Sequence, residues 1–176
     1  MAKIKYIMIH HTAVSYERNP DQFKANNNYH KAQWNFRSSL GYYLGYNYEI
    51  SSKGRVRKAR EEGERTAACY QNNMNSGQAI HIALDGNFDI EKPKPEQIFA
   101  LRDLLRDIVK RHDIKKENII FHNAFANKSC PGNNMDLNFI RSLAYPETVL
   151  EEEVNRPLKE EIRDVLKKLV SLVDKL

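Results

Sequence analysis

Tyr6-Ile7-Met8-Ile9-His10-His11-Thr12 is the stretch that orients the rest of the chain. Its apolar run is short, rich in β-formers and stopped by polar residues, so it predicts a buried strand over residues 3–10. His10 then falls at the carboxyl end of that strand, the edge at which open α/β sheets commonly place their sites. Far downstream, Asn118-Ile119-Ile120-Phe121 gives a second such strand, and it too ends in histidine, His122, with Lys128 and Cys130 in the loop beyond. Two imidazoles and a thiolate suit zinc rather than calcium or magnesium, and three protein ligands leave one corner of a tetrahedron for water. A single histidine is more often a core or surface residue than a ligand, so composition alone leaves open whether the three converge.

Between these ends the chain alternates strand and helix signals. Asn19-Pro20-Asp21 predicts a helix over 20–36 with Asn19 as its cap and Pro20 in the first turn, packing Phe23, Tyr29 and Trp34 inward. Tyr42 to Ile50 reads as an aromatic strand, a turn follows at Ser51-Ser52-Lys53-Gly54, and a hairpin partner lies at 55–59. Ala79-Ile80-His81-Ile82-Ala83-Leu84 is another core strand. Ile98, Leu101, Leu104, Leu105, Ile108 and Val109 form the stripe of a helix over 96–112 lying on a sheet. A short helix at 136–143 closes the body. The fold class is therefore α/β, one domain with a central mixed β-sheet flanked by helices, because the hairpin prevents an all-parallel sheet.

Pro146 marks a boundary between a body, 1–146, and an extension, 147–176. The extension carries Ile162, Leu166, Leu169, Val173 and Leu176 at heptad spacing and predicts a C-terminal helix over 158–176 that docks on the body or self-associates. Its acidic balance argues against membrane disruption. The whole chain has a formal charge of +5, but the body alone is +7 and the extension −2. A basic body favours polyanionic partners through salt-sensitive steering. No basic stripe or nucleic-acid motif accompanies the charge, so nucleic acid is not the expected partner. Neither a signal peptide nor an apolar run of membrane-spanning length is visible, and membrane insertion is not expected. Cys69 and Cys130 are the two cysteines; a disulfide between them would remove the thiolate ligand, and Cys69 otherwise reads as a small buried residue.

Four ordered motifs carry a resemblance. Ile9-His10-His11-Thr12-Ala13, Gly45-Tyr46-Asn47-Tyr48 with Gly54-Arg55-Val56, Ile82-Ala83-Leu84-Asp85-Gly86-Asn87-Phe88-Asp89, and His122 through Lys128-Ser129-Cys130-Pro131-Gly132 follow one another over residues 3–143. In this order they resemble the zinc-dependent N-acetylmuramoyl-L-alanine amidases of the amidase type 2 family, which share a fold with peptidoglycan recognition proteins. The resemblance implies that His10, His122 and Cys130 hold zinc, that His11 does not, and that Tyr46 and Lys128 are catalytic. Asn47 and Asn123 stand where the family often has histidine or charged residues, and residues 64–69 lack a histidine that many relatives carry; these departures bear on substrate preference more than on metal.

The implied reaction is hydrolysis of the amide between N-acetylmuramic acid and the L-alanine of the stem peptide by a zinc-activated water, with bacterial peptidoglycan as partner. Lys128 would meet the developing oxyanion, and Tyr46 would orient the water. Similarity to short phage enzymes implies an endolysin, made in the host cytoplasm and reaching the wall once another factor opens the membrane. A peptidoglycan-binding module that does not cut, and a bacterial wall-recycling amidase, are the alternatives that the same fold allows.

Overall fold

A computed structural model describes residues 3–145. The predicted C-terminal helix and the whole 147–176 extension lie outside the described residues. Five strands form one mixed sheet: β1 (Tyr6–His11), β2 (Tyr48–Ile50), β3 (Val56–Lys58), β4 (Ala79–Leu84) and β5 (Ile119–Phe121). Their spatial order is β3-β2-β4-β1-β5. β1 runs parallel to both β4 and β5, β2 runs parallel to β4, and the β2–β3 hairpin supplies the antiparallel edge.

Side-chain alternation gives the sheet two unlike faces. Ile7 and Ile9 of β1, Ile80, Ile82 and Leu84 of β4, Ile50 of β2 and Ile119 of β5 share one continuous apolar core with Leu101, Leu105 and Ile108 of α2 (Pro95–His112) and Ile140 of α3 (Leu137–Ala144). Each of these residues is completely withdrawn from water. Residues one step out of phase, Met8, His10, Ala79 and His81, turn to the other face, where Met8 and Ala79 meet Cys69 and Met74 in a smaller cluster. The helical side thus supplies burial energy, and the opposite side is free to hold polar chemistry.

Three predictions about α1 need correction. The helix spans Phe23–Trp34, shorter than 20–36, and its cap position is Gln22 rather than Asn19. The Asn19 side chain instead accepts from the Asp21 N–H, a local turn that competes with helix. The backbone N–H of Gln22 donates to Asp85 Oδ2 at 2.7 Å, so a carboxylate on the sheet starts the helix. Tyr29 and Trp34 do not pack inward: they are 60% and 48% exposed, and Phe23 is half-buried. His30 is the buried residue of this helix. Polar residues fill most other inward positions, and an apolar-stripe reading had no way to identify the buried turn.

Candidate metal centre

Parallel pairing of β1 with β5 brings the ends of the two histidine strands together. Ile9 is registered against Phe121, so His10 and His122 leave adjacent strands at the same level. Their ring centroids are 4.6 Å apart. Beyond His122 the chain makes a 3-10 turn over His122–Ala124 and returns through a loop that places Cys130 Sγ 3.7 Å from His10 Nδ1. One donor atom from each of His10, His122 and Cys130 lies within 4.8 Å of the others. A tetrahedral zinc with sulfur at about 2.3 Å and nitrogen at about 2.0 Å sets those two donors about 3.5 Å apart, close to the spacing found. The donor set therefore fits zinc in chemistry and in size. Both cysteines are free thiols, so Cys130 is available as a ligand.

The ligand loop is fixed from two directions. Asn123 N donates to Cys130 O at 2.8 Å, closing the loop on itself. Asp89 reaches across from the β4–α2 connection, accepting from Ser129 Oγ at 2.6 Å and from Asn133 N at 3.0 Å. That connection is itself tied to β1, because Phe88 N donates to His11 Nδ1 at 3.1 Å. His11 thus points to the side away from the metal donors and acts as a bracket, as expected of the neighbour of His10 on a strand. Gly132 has φ +107°, and a Cβ there would lie 2.4 Å from the Phe88 carbonyl carbon, so loop and connection pack backbone to backbone.

Burial lowers the affinity of both candidate donor histidines for protons. His10 lies well below its ordinary value through desolvation, reinforced by His81 and His122, and His122 is lowered to about 4 by desolvation and then by Lys128. Both rings are neutral at pH 7, as metal ligands must be. Desolvation raises the Cys130 thiol to about 11, a shift that Lys128 opposes.

Tyr46 and Lys128 also reach this corner. The Tyr46 ring lies 5.1 Å from the His10 ring. Burial, then the Cys130 charge, push its phenol far up, so the hydroxyl remains a donor. Lys128 is exposed on the ligand loop, and its charge acts on His10, His122 and Cys130 together. His30 was not singled out by its sequence context, yet its Nδ1 accepts from Gly45 N at 3.0 Å and its ring faces Tyr46 at 5.5 Å. It thereby holds the segment that presents Tyr46. Asp89 closes one of the quoted motifs, but nothing local marks its task, because its partners are forty or more residues away.

Asn47, one of the noted departures, is fully buried and structural. Its Oδ1 accepts from His81 N at 2.8 Å, and its Nδ2 donates to Glu61 O at 2.9 Å. Cys69 is buried in the smaller cluster, as its reading predicts.

Comparison with known proteins adds an independent line. The profile of a family described as N-acetylmuramoyl-L-alanine amidase matches residues 1–133. The chain is similar to peptidoglycan-recognition protein SC2 of Drosophila simulans, 32% identical over 138 residues, covering 75% of this chain and 70% of that one. Among solved structures it is similar to N-acetylmuramoyl-L-alanine amidase LysC from Clostridium intestinale URNW, with TM-score 0.64 and 25% identity over 80% of this chain and 84% of that one. It is also similar to the endolysin amidase LysCS of the same organism, with TM-score 0.64 and 25% identity over 80% and 82% of the two chains.

Proposed function

Because the chain belongs to the N-acetylmuramoyl-L-alanine amidase family, we propose that it hydrolyses the amide joining N-acetylmuramic acid to the L-alanine of the peptidoglycan stem peptide, with zinc held by His10, His122 and Cys130. A peptidoglycan-related function follows from the family itself. The observation that carries the catalytic reading is the convergence of the three donors at the carboxyl ends of β1 and β5 and in the loop after β5. Zinc bound there would supply Lewis acidity toward the scissile carbonyl and acidity to an attacking water.

The protein's own groups have distinct tasks. Lys128, exposed on the loop that carries Cys130, donates to the oxygen of the scissile carbonyl as negative charge grows on it. Tyr46, protonated at neutral pH, donates its hydroxyl hydrogen and orients the water or the carbonyl beside His10. The neutral imidazoles of His10 and His122 present lone pairs without competing for protons. Asp89 and His11 keep the Cys130 loop at its working distance.

A binding module without catalysis is the second reading, favoured by similarity to the peptidoglycan-recognition protein. The retained trio together with Lys128 supports the enzyme, since a binder has no use for all four. Likeness to the endolysin amidase supports an endolysin that acts on the wall after another factor opens the host membrane. No helix of the described residues is long and apolar enough to cross a membrane.

Purified protein incubated with peptidoglycan tests the proposal directly. New L-alanine amino termini should appear, stop on chelation and return with zinc, and Cys130→Ser should lose both metal and turnover. Full activity in the chelated protein, or stoichiometric zinc with full activity in Cys130→Ser, would refute it.

A further inference from the structure

His81 is completely buried on β4, on the face that carries His10, and it has no task in the reaction described so far. Its Nδ1 lies 3.0 Å from His10 Nε2. Its Nε2 lies 3.1 Å from the backbone oxygen of Met74, in the 3-10 segment Gln71–Ser76. These two contacts determine where the N–H proton of each ring sits. A carbonyl oxygen only accepts, so His81 Nε2 must carry the hydrogen. A neutral imidazole has one N–H, so His81 Nδ1 offers a lone pair. The nitrogen facing it, His10 Nε2, must then be the donor. His10 has spent its single proton on His81, and its Nδ1 is left with a lone pair aimed at the corner shared with Cys130 Sγ, 3.7 Å away.

We propose that His81 is a positioning residue: through the chain Met74 O, His81, His10 it fixes His10 in the Nε2–H tautomer and holds its ring so that Nδ1 faces the metal. The opposite tautomer would point an N–H at the ligand corner and block it. Ligand histidines generally donate their second ring nitrogen to a carboxylate, a backbone carbonyl or water. Here a second histidine relays a backbone carbonyl. The relay ends on a backbone carbonyl rather than a carboxylate, so it adds orientation without adding a charged group to a corner that receives a cation and a thiolate. The Asn47 side chain accepts from His81 N, and the two rings sit 5.2 Å apart, so the donor chain is held at its backbone as well as at its tip.

This inference rests on zinc binding at His10, His122 and Cys130, and the test separates the two. Long-range 15N–1H spectra of the metal-free protein report imidazole tautomers directly. His10 and His81 should both show a protonated Nε2 and a bare Nδ1, and added zinc should shift His10 Nδ1 while leaving the His81 tautomer unchanged. In chelator competition, His81→Leu should bind zinc about ten- to a hundredfold more weakly. His81→Asn keeps an acceptor where Nδ1 stood and should restore most of that loss, which a purely space-filling role would not produce. A protonated Nδ1 on His81, or wild-type affinity in a folded His81→Leu variant, overturns the role of His81 while leaving the zinc site standing. A wild-type protein that takes up no zinc overturns the metal reading and this one with it. The spectra use the unaltered protein, so the outcome stands even where a variant fails to fold.

Discussion

His10 and His11 are chemically identical and adjacent, yet one joins the metal donors and the other holds Phe88, because a strand turns successive side chains to opposite faces. The same economy makes Lys128 and Gly132 separable by experiment. The Lys128 side chain is exposed and makes no hydrogen bond or ion pair among the described residues, so Lys128→Ala should keep zinc and melting temperature while kcat falls about a hundred- to a thousandfold, the range for losing one oxyanion donor. A parallel loss of metal would move Lys128 from catalysis to structure. Gly132→Ala should fail in the opposite way. Its φ of +107° disfavours any side chain, and the new Cβ would press on the Phe88 backbone, so the loop bearing Cys130 must shift. Weaker zinc binding and a stability loss of about 2 kcal/mol, read by chelator competition and thermal melting, are expected.

At the scale of elements, β4 was legible as a short apolar run and α2 from apolar residues spaced three and four apart, whereas the strand expected over Tyr42–Ile50 is confined to Tyr48–Ile50. The prediction over Ala79–Leu84 matches β4 residue for residue, and 96–112 differs from α2 by one residue. Long-range polar contacts were not legible: α1 begins where Asp85 accepts from Gln22 N, sixty-three residues distant, and no local pattern encodes that bond. Zinc donors were suggested by residue type, but the order β4-β1-β5 that joins two of them came only from pairing. His81 was hidden for the same reason, since its partner is on another strand. Beside α1 lies a further buried pair. Glu49 accepts from Asn26 Nδ2 at 2.9 Å and Asp85 accepts from Gln22, while Glu49 Oε1 and Asp85 Oδ1 are left buried without a hydrogen-bond partner among the described residues. A proton shared between the two carboxyls would satisfy both of those oxygens. Desolvation, then the Asp85 charge, raise Glu49 well above the ordinary value, and desolvation raises Asp85 to about 6, with Arg57 opposing and Asp21 adding to the shift. A raised carboxyl contributes stability that is full below its unfolded value, about 4, and is lost as pH rises through the folded value. The buried histidines act in the other direction, since lowered values near 4 for His30, His81 and His122 cost stability as pH falls from about 6.5. The difference between wild type and Glu49→Gln isolates the pair: an amide donates to Asp85 at any pH, so the variant should gain on wild type as pH goes from 5 to 8. Melting curves that keep a constant gap would show that the carboxyls do not share a proton.

Taken whole, the molecule uses one side of its sheet for apolar packing under α2 and α3 and the other for a polar corner with aromatic residues around it. Charge is distributed on a larger scale still. Residues 1–146 carry 22 Lys and Arg against 15 Asp and Glu, while 147–176 are net acidic. A body of +7 approaching a bacterial wall rich in anionic polymer would gain long-range attraction that short-range contacts at the His10–His122–Cys130 corner do not provide. Such attraction is screened within about 10 Å at 0.1 M salt and about 3 Å at 1 M, whereas a buried metal corner is screened much less. Association with intact walls should therefore weaken at least tenfold between 0.05 and 0.5 M salt, on the order expected for a steered encounter. Turnover of a small uncharged muramoyl-peptide should change less than about twofold over the same range. Sedimentation of protein with purified walls, run beside hydrolysis of the small substrate, measures both. Removing residues 147–176 takes away net negative charge, so the truncated protein should bind walls at least as tightly at low salt and show a steeper salt dependence. Equal salt dependence for walls and small substrate would mean that the basic surface serves solubility alone and that recognition resides entirely at the His10–His122–Cys130 corner.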